Sequence, residues 1–324
     1  MVEQSTQKTS HRRKAVVLFG PTAAGKTAAS IHIANAFKGE VINADSRQIY
    51  QQMPIITAMP TDEERAAAPH HMFDFLAPDQ TFSVGQWLNM AREKAEEIWA
   101  KGGLPIFVGG TGFYLKTLMD GISPMPETDT KLQMALEAQA DEKGLDFMYA
   151  ELQKIDPTWA AKVEANDRQR ILRGHLAYLQ TGKPLSEGHK LPPEGGLDCD
   201  FVCLAISPPR EVLIERINNR FLKMIEEGVV EEAKLLYDKY MKNGDRENVA
   251  PSLKSIGLPV YAEYFEGYTF LDDAHETVAQ QMRQYAKRQR TWLRNSYPQD
   301  ALVFEDGSKT DEIVQSVSNR LQSV

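Results

Sequence analysis

Cysteine is nearly absent: Cys199 and Cys203 are the only two among 324 residues. Four positions apart in an apolar run, they read as buried thiols. Two sulfurs cannot complete a zinc cluster, and nothing suggests a disulfide scaffold. A reducing cytoplasm is the expected compartment. Long apolar runs are missing too. No stretch approaches the roughly 20 apolar residues of a membrane span, so no membrane association is expected. Residues 1–14 include His11-Arg12-Arg13-Lys14 but lack an apolar signal core, and they read as a flexible N-terminal tail. There is no internal repeat and no low-complexity tract. An excess of positive charge is also lacking, since 37 Lys and Arg face 45 Asp and Glu, a net charge of −8. That argues against binding nucleic acid non-specifically over the whole surface. It leaves room for a local basic patch.

What is present is material for a core. Hydrophobic residues make up 42% of the chain and charged residues 25%, which excludes global disorder and allows one large core and a smaller second one. Ala15 to Phe19 (AVVLF) reads as a buried parallel strand, followed by a helix from about Lys26 to Phe37. Glu40 to Ala44 is a second strand. Residues 84–101 form a helix with Trp87, Met90, Ala91, Ala95 and Ile98 on one face. Pro105 to Val108 is a third strand, stopped by Gly109-Gly110-Thr111-Gly112. Strand, glycine turn and helix alternate, which predicts an α/β fold with a parallel three-layer sheet. From about Pro124 to Leu191 the pattern is helical and charged, so residues 125–195 read as an all-helical insert between 15–124 and 196–324. Phe201 to Ile206 resumes the sheet. Helices at about 210–227, 229–242 and 272–295 lead to a last strand, Ala301 to Phe304.

Gly20-Pro21-Thr22-Ala23-Ala24-Gly25-Lys26-Thr27 fits G-x-x-x-x-G-K-[ST] without a mismatch, after a strand and opening a helix. Such a P-loop wraps an anion in backbone N–H groups at a helix N-terminus. Lys26 is expected to reach the terminal phosphate and Thr27 to hold Mg²⁺. The motif specifies a diphosphate or triphosphate; which group leaves, and what attacks, stays open. Asp45 follows the second strand and faces the crevice at the sheet's C-terminal edge. It suits either a water-bridged Mg²⁺ or a general base. His70-His71 beside Asp74 carries no metal expectation, because adjacent histidines point in different directions.

Two basic groups stand out. Arg216, Arg220 and Lys223 share a helix face. Arg283, Lys287, Arg290 and Arg294 are spaced i, i+4, i+7, i+11 in a segment without acidic residues, with Tyr285 and Trp292 interleaved. A phosphate backbone is the natural partner of such a stripe.

In order along the chain stand GPTAAGKT at 20–27, ADSRQIY at 44–50, PHHMFDFLAPDQTFSVGQW at 69–87 and VGGTGFYLKTLMDGI at 108–122. NDRQRILR at 166–173, TGKPLSE at 181–187, RINNRFLKMIEEGVVEE at 216–232, SIG at 255–257 and RQYAKRQRTWLR at 283–294 follow. Together they resemble the tRNA dimethylallyltransferases, also called tRNA isopentenyltransferases. The resemblance implies transfer of a dimethylallyl group from dimethylallyl diphosphate to N6 of the adenine following the anticodon, position 37, with pyrophosphate leaving. It implies a P-loop that grips the prenyl donor, with Mg²⁺ as cofactor. By the same resemblance Asp45 is the base, Thr111 contacts the adenine and Arg220 clamps the diphosphate. Asp45, Ser46, Arg47 and Gln48 line the base pocket. Gln169, Arg170, Ile171, Leu172 and Arg173 of the insert contact the anticodon stem-loop, as does the stripe of Arg283, Lys287, Arg290 and Arg294. A monomer is expected.

The chain departs from the family pattern twice. Leu258-Pro259-Val260 stands where Tyr-Arg-Gln is usual, and Gly174-His175-Leu176 where Ala-Leu-Glu is usual. Both put local packing and RNA contacts in doubt more than the reaction. Three rivals remain: an adenylate isopentenyltransferase, an ATP-dependent P-loop kinase and a non-catalytic RNA-binding protein. The insert and the stripe oppose the first, phosphate transfer to small acceptors tests the second, and intact Lys26, Thr27 and Asp45 oppose the third.

Overall fold

The computed structural model describes residues 12–126, 128–242 and 250–323. The chain divides into two compact units, with breaks after Met119 and after Gly196. The helical insert thus starts a few residues before the expected position 125.

In the first unit, β1 (Lys14–Phe19) leads to α1 (Lys26–Phe37), and β2 (Gly39–Asn43) to α2 (Asp62–Ala67) and β3 (His70–His71). Next come α3 (Val84–Ala100), β4 (Leu104–Gly109) and α4 (Gly112–Asp120). The insert holds α5 (Thr130–Lys143), α6 (Leu145–Ile155), α7 (Pro157–Ala160), α8 (Arg168–Thr181) and α9 (Leu185–Gly188). The first unit resumes with β5 (Asp200–Ile206), α10 (Arg210–Glu226), α11 (Val229–Leu236) and α12 (Leu258–Phe265). It continues with α13 (Leu271–Ser296), β6 (Leu302–Phe304) and α14 (Thr310–Ser323).

The six strands run parallel in the order β3-β2-β4-β1-β5-β6. Strand β1 explains the layering. Successive side chains point to opposite faces, and here both faces are apolar. Ala15, Val17 and Phe19 pack with Trp87, Leu88 and Leu115 of α3 and α4. Val16 and Leu18 pack with Ile33 of α1 and with Ile313 and Val317 of α14. A third cluster joins Ile49, Tyr50 and Met53 to Ile217, Phe221, Leu258, Val278 and Met282 of α10, α12 and α13.

Several expectations need correction. The tail is shorter than 1–14. Lys14 already lies in β1, Arg12 bridges Asp198 and Asp200 at 2.8 and 3.0 Å, and Arg13 pairs with Glu96. Residues 1–11 lie outside the described residues. The helix expected over 229–242 ends at Leu236 and passes into a π-turn, Tyr237–Met241, where the Tyr237 hydroxyl donates to Glu266 at 2.9 Å. Helix α2 and strand β3 are additions. Thr61 and Glu64 form a capping box that holds α2 despite its six residues. Strand β3 is only two residues, too short for a periodic signal.

Both departures from the family pattern have packing explanations. Gly257 caps α12 at φ 93, and Pro259 sits in the first turn, where a missing N–H costs no helix bond. Leu258 and Val260 then enter the core. In the insert, a Cβ at Gly174 would lie 2.5 Å from Leu152 Cδ1, so glycine lets α8 approach α6 closely. His175 is buried beside it, its Nε2 2.8 Å from the Met148 carbonyl.

Candidate active site

The end of β1 turns into the P-loop, and Gly25 (φ 95) caps α1 in the left-handed region. Lys26 Nζ folds back to donate to the carbonyls of Gly20 and Pro21, both at 2.9 Å. Burial pulls this ammonium down to about 8; the charge of Asp45 opposes the fall and that of Arg220 adds to it. Arg220 Nη1 reaches Thr22 Oγ1 at 3.4 Å. Burial also lowers the Arg220 guanidinium, yet it stays a cation because its ordinary value is so high.

The end of β2 forms the facing wall. Asn43 is fully buried and acts as a peg. Its Oδ1 accepts the Asp45 N–H at 2.8 Å, and its Nδ2 donates to the Met72 carbonyl at 3.0 Å. Trp87 Nε1 donates to the Asn43 carbonyl at 2.9 Å. Asp45 Oδ1 accepts the Arg47 N–H at 2.9 Å, a side-chain turn that fixes the carboxylate. The third wall is the turn after β4. Thr111 Oγ1 accepts the Ser46 N–H at 2.9 Å and donates to Ser46 Oγ at 3.2 Å.

These walls enclose a cavity of about 650 Å³ in the first unit. Thr22, Ala23, Ala24, Gly25, Lys26 and Thr27 line it together with Asp45, Ser46, Arg47, Gln48, Thr111 and Arg220. Gly20 and Pro21 are not in the lining and supply the carbonyls that hold Lys26. Ile56, Met224, Val229, Val278 and Met282 give the cavity an apolar side. Arg216 is elsewhere, paired with Asp306 at 3.0 Å. Asp306 is held down to about 2, chiefly by the Ser308 backbone N–H and hydroxyl and then by Arg216. The next residue, Gly307, lies against the back of the P-loop at Gly25.

Along α13, Lys287 and Arg294 are exposed and Arg290 is half-buried, while Arg283 donates to Asn218 Oδ1 at 3.1 Å. Arg288, Tyr285 and Trp292 of the same helix line the cavity. Burial pushes the Tyr285 phenol up, so it stays protonated. In the insert, Gln169 is exposed, Arg170 lies 4.7 Å over the Trp159 ring and Arg173 approaches Thr128 Oγ1 at 3.4 Å. Ile171 and Leu172 require correction as RNA contacts. They are 0% and 8% exposed and pack in the insert's own core, so their side chains are not presented to RNA.

Reading the sequence missed Asn43 and Gln289, and it counted Arg288 in the basic segment of 283–294 without placing it at the cavity. A lone amide at the end of an apolar strand was the available signal for Asn43; the partners of Gln289 lie too far along the chain to be inferred. Among the described residues no group of three His, Cys, Asp or Glu is placed to hold a metal, and His71 pairs instead with Glu40 at 2.6 Å. Burial raises both thiols to about 12, leaving them as inert packing groups.

Comparison with known proteins identifies the family. The model of the family IPP transferase matches residues 48–296, and that of Isopentenyl transferase matches residues 13–69. A tRNA dimethylallyltransferase of Magnetococcus marinus is 43% identical over 281 residues, covering 85% of this chain and 90% of the relative. The crystal structure of a tRNA isopentenylpyrophosphate transferase from Bacillus halodurans superposes with a TM-score of 0.68 at 33% identity, covering 96% of this chain and 98% of that one. A eukaryotic dimethylallyltransferase captured acting on tRNA gives a TM-score of 0.79 at 30% identity, covering 95% and 77%. A P-loop, an aspartate and a threonine around one cavity, in a chain matched over most of its length, lead to one conclusion: it belongs to the IPP transferase family.

Proposed function

We propose that the protein transfers the dimethylallyl group of dimethylallyl diphosphate to N6 of the adenine following the anticodon in tRNA. One observation carries this reading: the Asp45 carboxylate and the P-loop line the same cavity. The allylic C–O bond breaks, pyrophosphate leaves, and a C–N bond forms to the adenine amine. The amine is a weak nucleophile because its lone pair is shared with the ring. Asp45 accepts its proton as the bond forms. P-loop N–H groups, Lys26 and Arg220 stabilise the charge that grows on the leaving diphosphate. The apolar side of the cavity suits a five-carbon chain. Thr27 is the residue to hold Mg²⁺. Thr27 lines the cavity at the start of α1, where its hydroxyl would be the protein's oxygen ligand to the ion. An ion held there would add neutralisation of the departing diphosphate.

An adenine stacked in a loop must be turned out before its amine can enter such a cavity. A tRNA substrate is compatible with the cytoplasm expected from the sequence. The test is mass spectrometry of unmodified tRNA after incubation with dimethylallyl diphosphate, Mg²⁺ and the protein. A mass gain of one prenyl group on the adenine next to the anticodon is expected, and unchanged RNA would sink the reading.

The stripe on α13 makes a second expectation. Changing Lys287 and Arg294 together to Gln should weaken tRNA binding for every sequence alike. It should also reduce the slope of log affinity against log salt by about two, one for each lost phosphate contact. An unchanged slope would remove the stripe from the RNA surface.

A further inference from the structure

One buried polar side chain in the first unit has no part in the chemistry above. Gln289 is 5% exposed, on the inward face of an otherwise basic segment of α13. Its Oε1 accepts the N–H of Thr22 at 2.9 Å, and its Nε2 donates to the carbonyl of Gly110 at 3.0 Å. An amide carries one acceptor end and one donor end, and here each end meets its complement. One partner belongs to the P-loop and the other to the turn that carries Thr111.

The turn is shaped for this contact. A Cβ at Gly110 would lie 2.1 Å from Gln289 Nε2, and a Cβ at Gly112 would lie 2.2 Å from the Trp292 ring. Both glycines flanking Thr111 therefore leave room for side chains of α13. From Gly110 the connection runs through Thr111 to the Ser46 N–H, next to Asp45. A hydrogen-bonded path thus joins the donor's cradle to the acceptor's wall, and Gln289 is its middle link.

We propose that Gln289 is a positioning residue that fixes the separation between the leaving diphosphate and the attacking amine. It does so from the helix whose outer face carries Lys287 and Arg294. The inference rests on the prenyl-transfer reading. Transfer requires reacting atoms about 3–3.5 Å apart, and a misplacement of about 1 Å can cost about 100-fold in rate. A clasp held to hydrogen-bond tolerance at both ends meets that demand. Glutamate would keep an acceptor for Thr22 and lose the donor to Gly110; leucine would lose both.

The experiment measures steady-state kinetics of the full chain, with dimethylallyl diphosphate, Mg²⁺ and an unmodified anticodon stem-loop RNA. Gln289→Leu and Gln289→Glu are compared with wild type. Dimethylallyl alcohol is quantified alongside prenylated RNA, because water can replace the amine: its oxygen bonds the allylic carbon, pyrophosphate leaves and a proton goes to solvent. The expected result is a kcat for transfer lowered on the order of 10–100-fold in the Leu variant and less in the Glu variant. Donor KM and RNA affinity should stay within about threefold, and the ratio of alcohol to prenylated RNA should rise. A kcat within about twofold of wild type in both variants overturns the proposal, as does a loss that appears wholly in donor KM. If the Leu variant fails to fold, the Glu variant decides by the same criteria. Wild-type protein that leaves the RNA unmodified refutes the prenyl-transfer reading itself, whatever the variants do.

Discussion

Replacing Asp45 with asparagine should lower the single-turnover rate of prenyl transfer by about 10²–10⁴-fold while the fold persists. The amide still offers an oxygen to the Arg47 N–H, so the turn that fixes the side chain survives. The peg at Asn43 binds the backbone at 45 and is untouched. What disappears is the acceptor for the amine proton. The charge that supports the Lys26 ammonium goes with it, so Lys26 should titrate lower still. Thermal unfolding and RNA binding like wild type, with the rate collapsed, is the expected set. A variant that turned over at the wild-type rate would remove Asp45 from the chemistry.

Replacing Lys26 with methionine should lower kcat/KM by about 10²–10³-fold, the cost of one lost stabilising donor at a developing oxyanion. The same change should raise stability at neutral pH. Burial lowers the folded-state value of Lys26 from 10.5 to about 8, so folding disfavours its charged form. That penalty is fully present below about pH 8 and fades as pH rises towards 10.5. The methionine variant should therefore melt higher than wild type at pH 7, and the gap should close in alkali. Pyrophosphate should raise the melting temperature of wild type and leave the variant nearly unmoved. A variant less stable than wild type at pH 7 would mean that the bonds to Gly20 and Pro21 outweigh the burial of charge.

What could be read in the sequence was what neighbours in the chain determine. The P-loop, Asp45 and Thr111 each sit at the end of an apolar strand, so strand period and glycine spacing locate them. The parallel sheet followed from the alternation of such strands with helices, and only β3, with two residues, escaped. Ile171 and Leu172 were misread because they were taken with their whole segment; the helical period separates them from exposed Gln169. Gln289 was out of reach for a different reason. Nothing within a few residues of it specifies a buried amide, and its partner Thr22 is 267 positions away.

That distance has a meaning for synthesis. The anion-binding loop leaves the ribosome long before α13. The side chain that holds its Thr22 follows 267 positions later, and the Asp306–Gly307 turn behind it later still. A nascent chain stalled before residue 289 carries the whole phosphate motif yet lacks its braces. On the reading above, the spacing between donor and acceptor is therefore set only once α13 has been made and has closed on both loops.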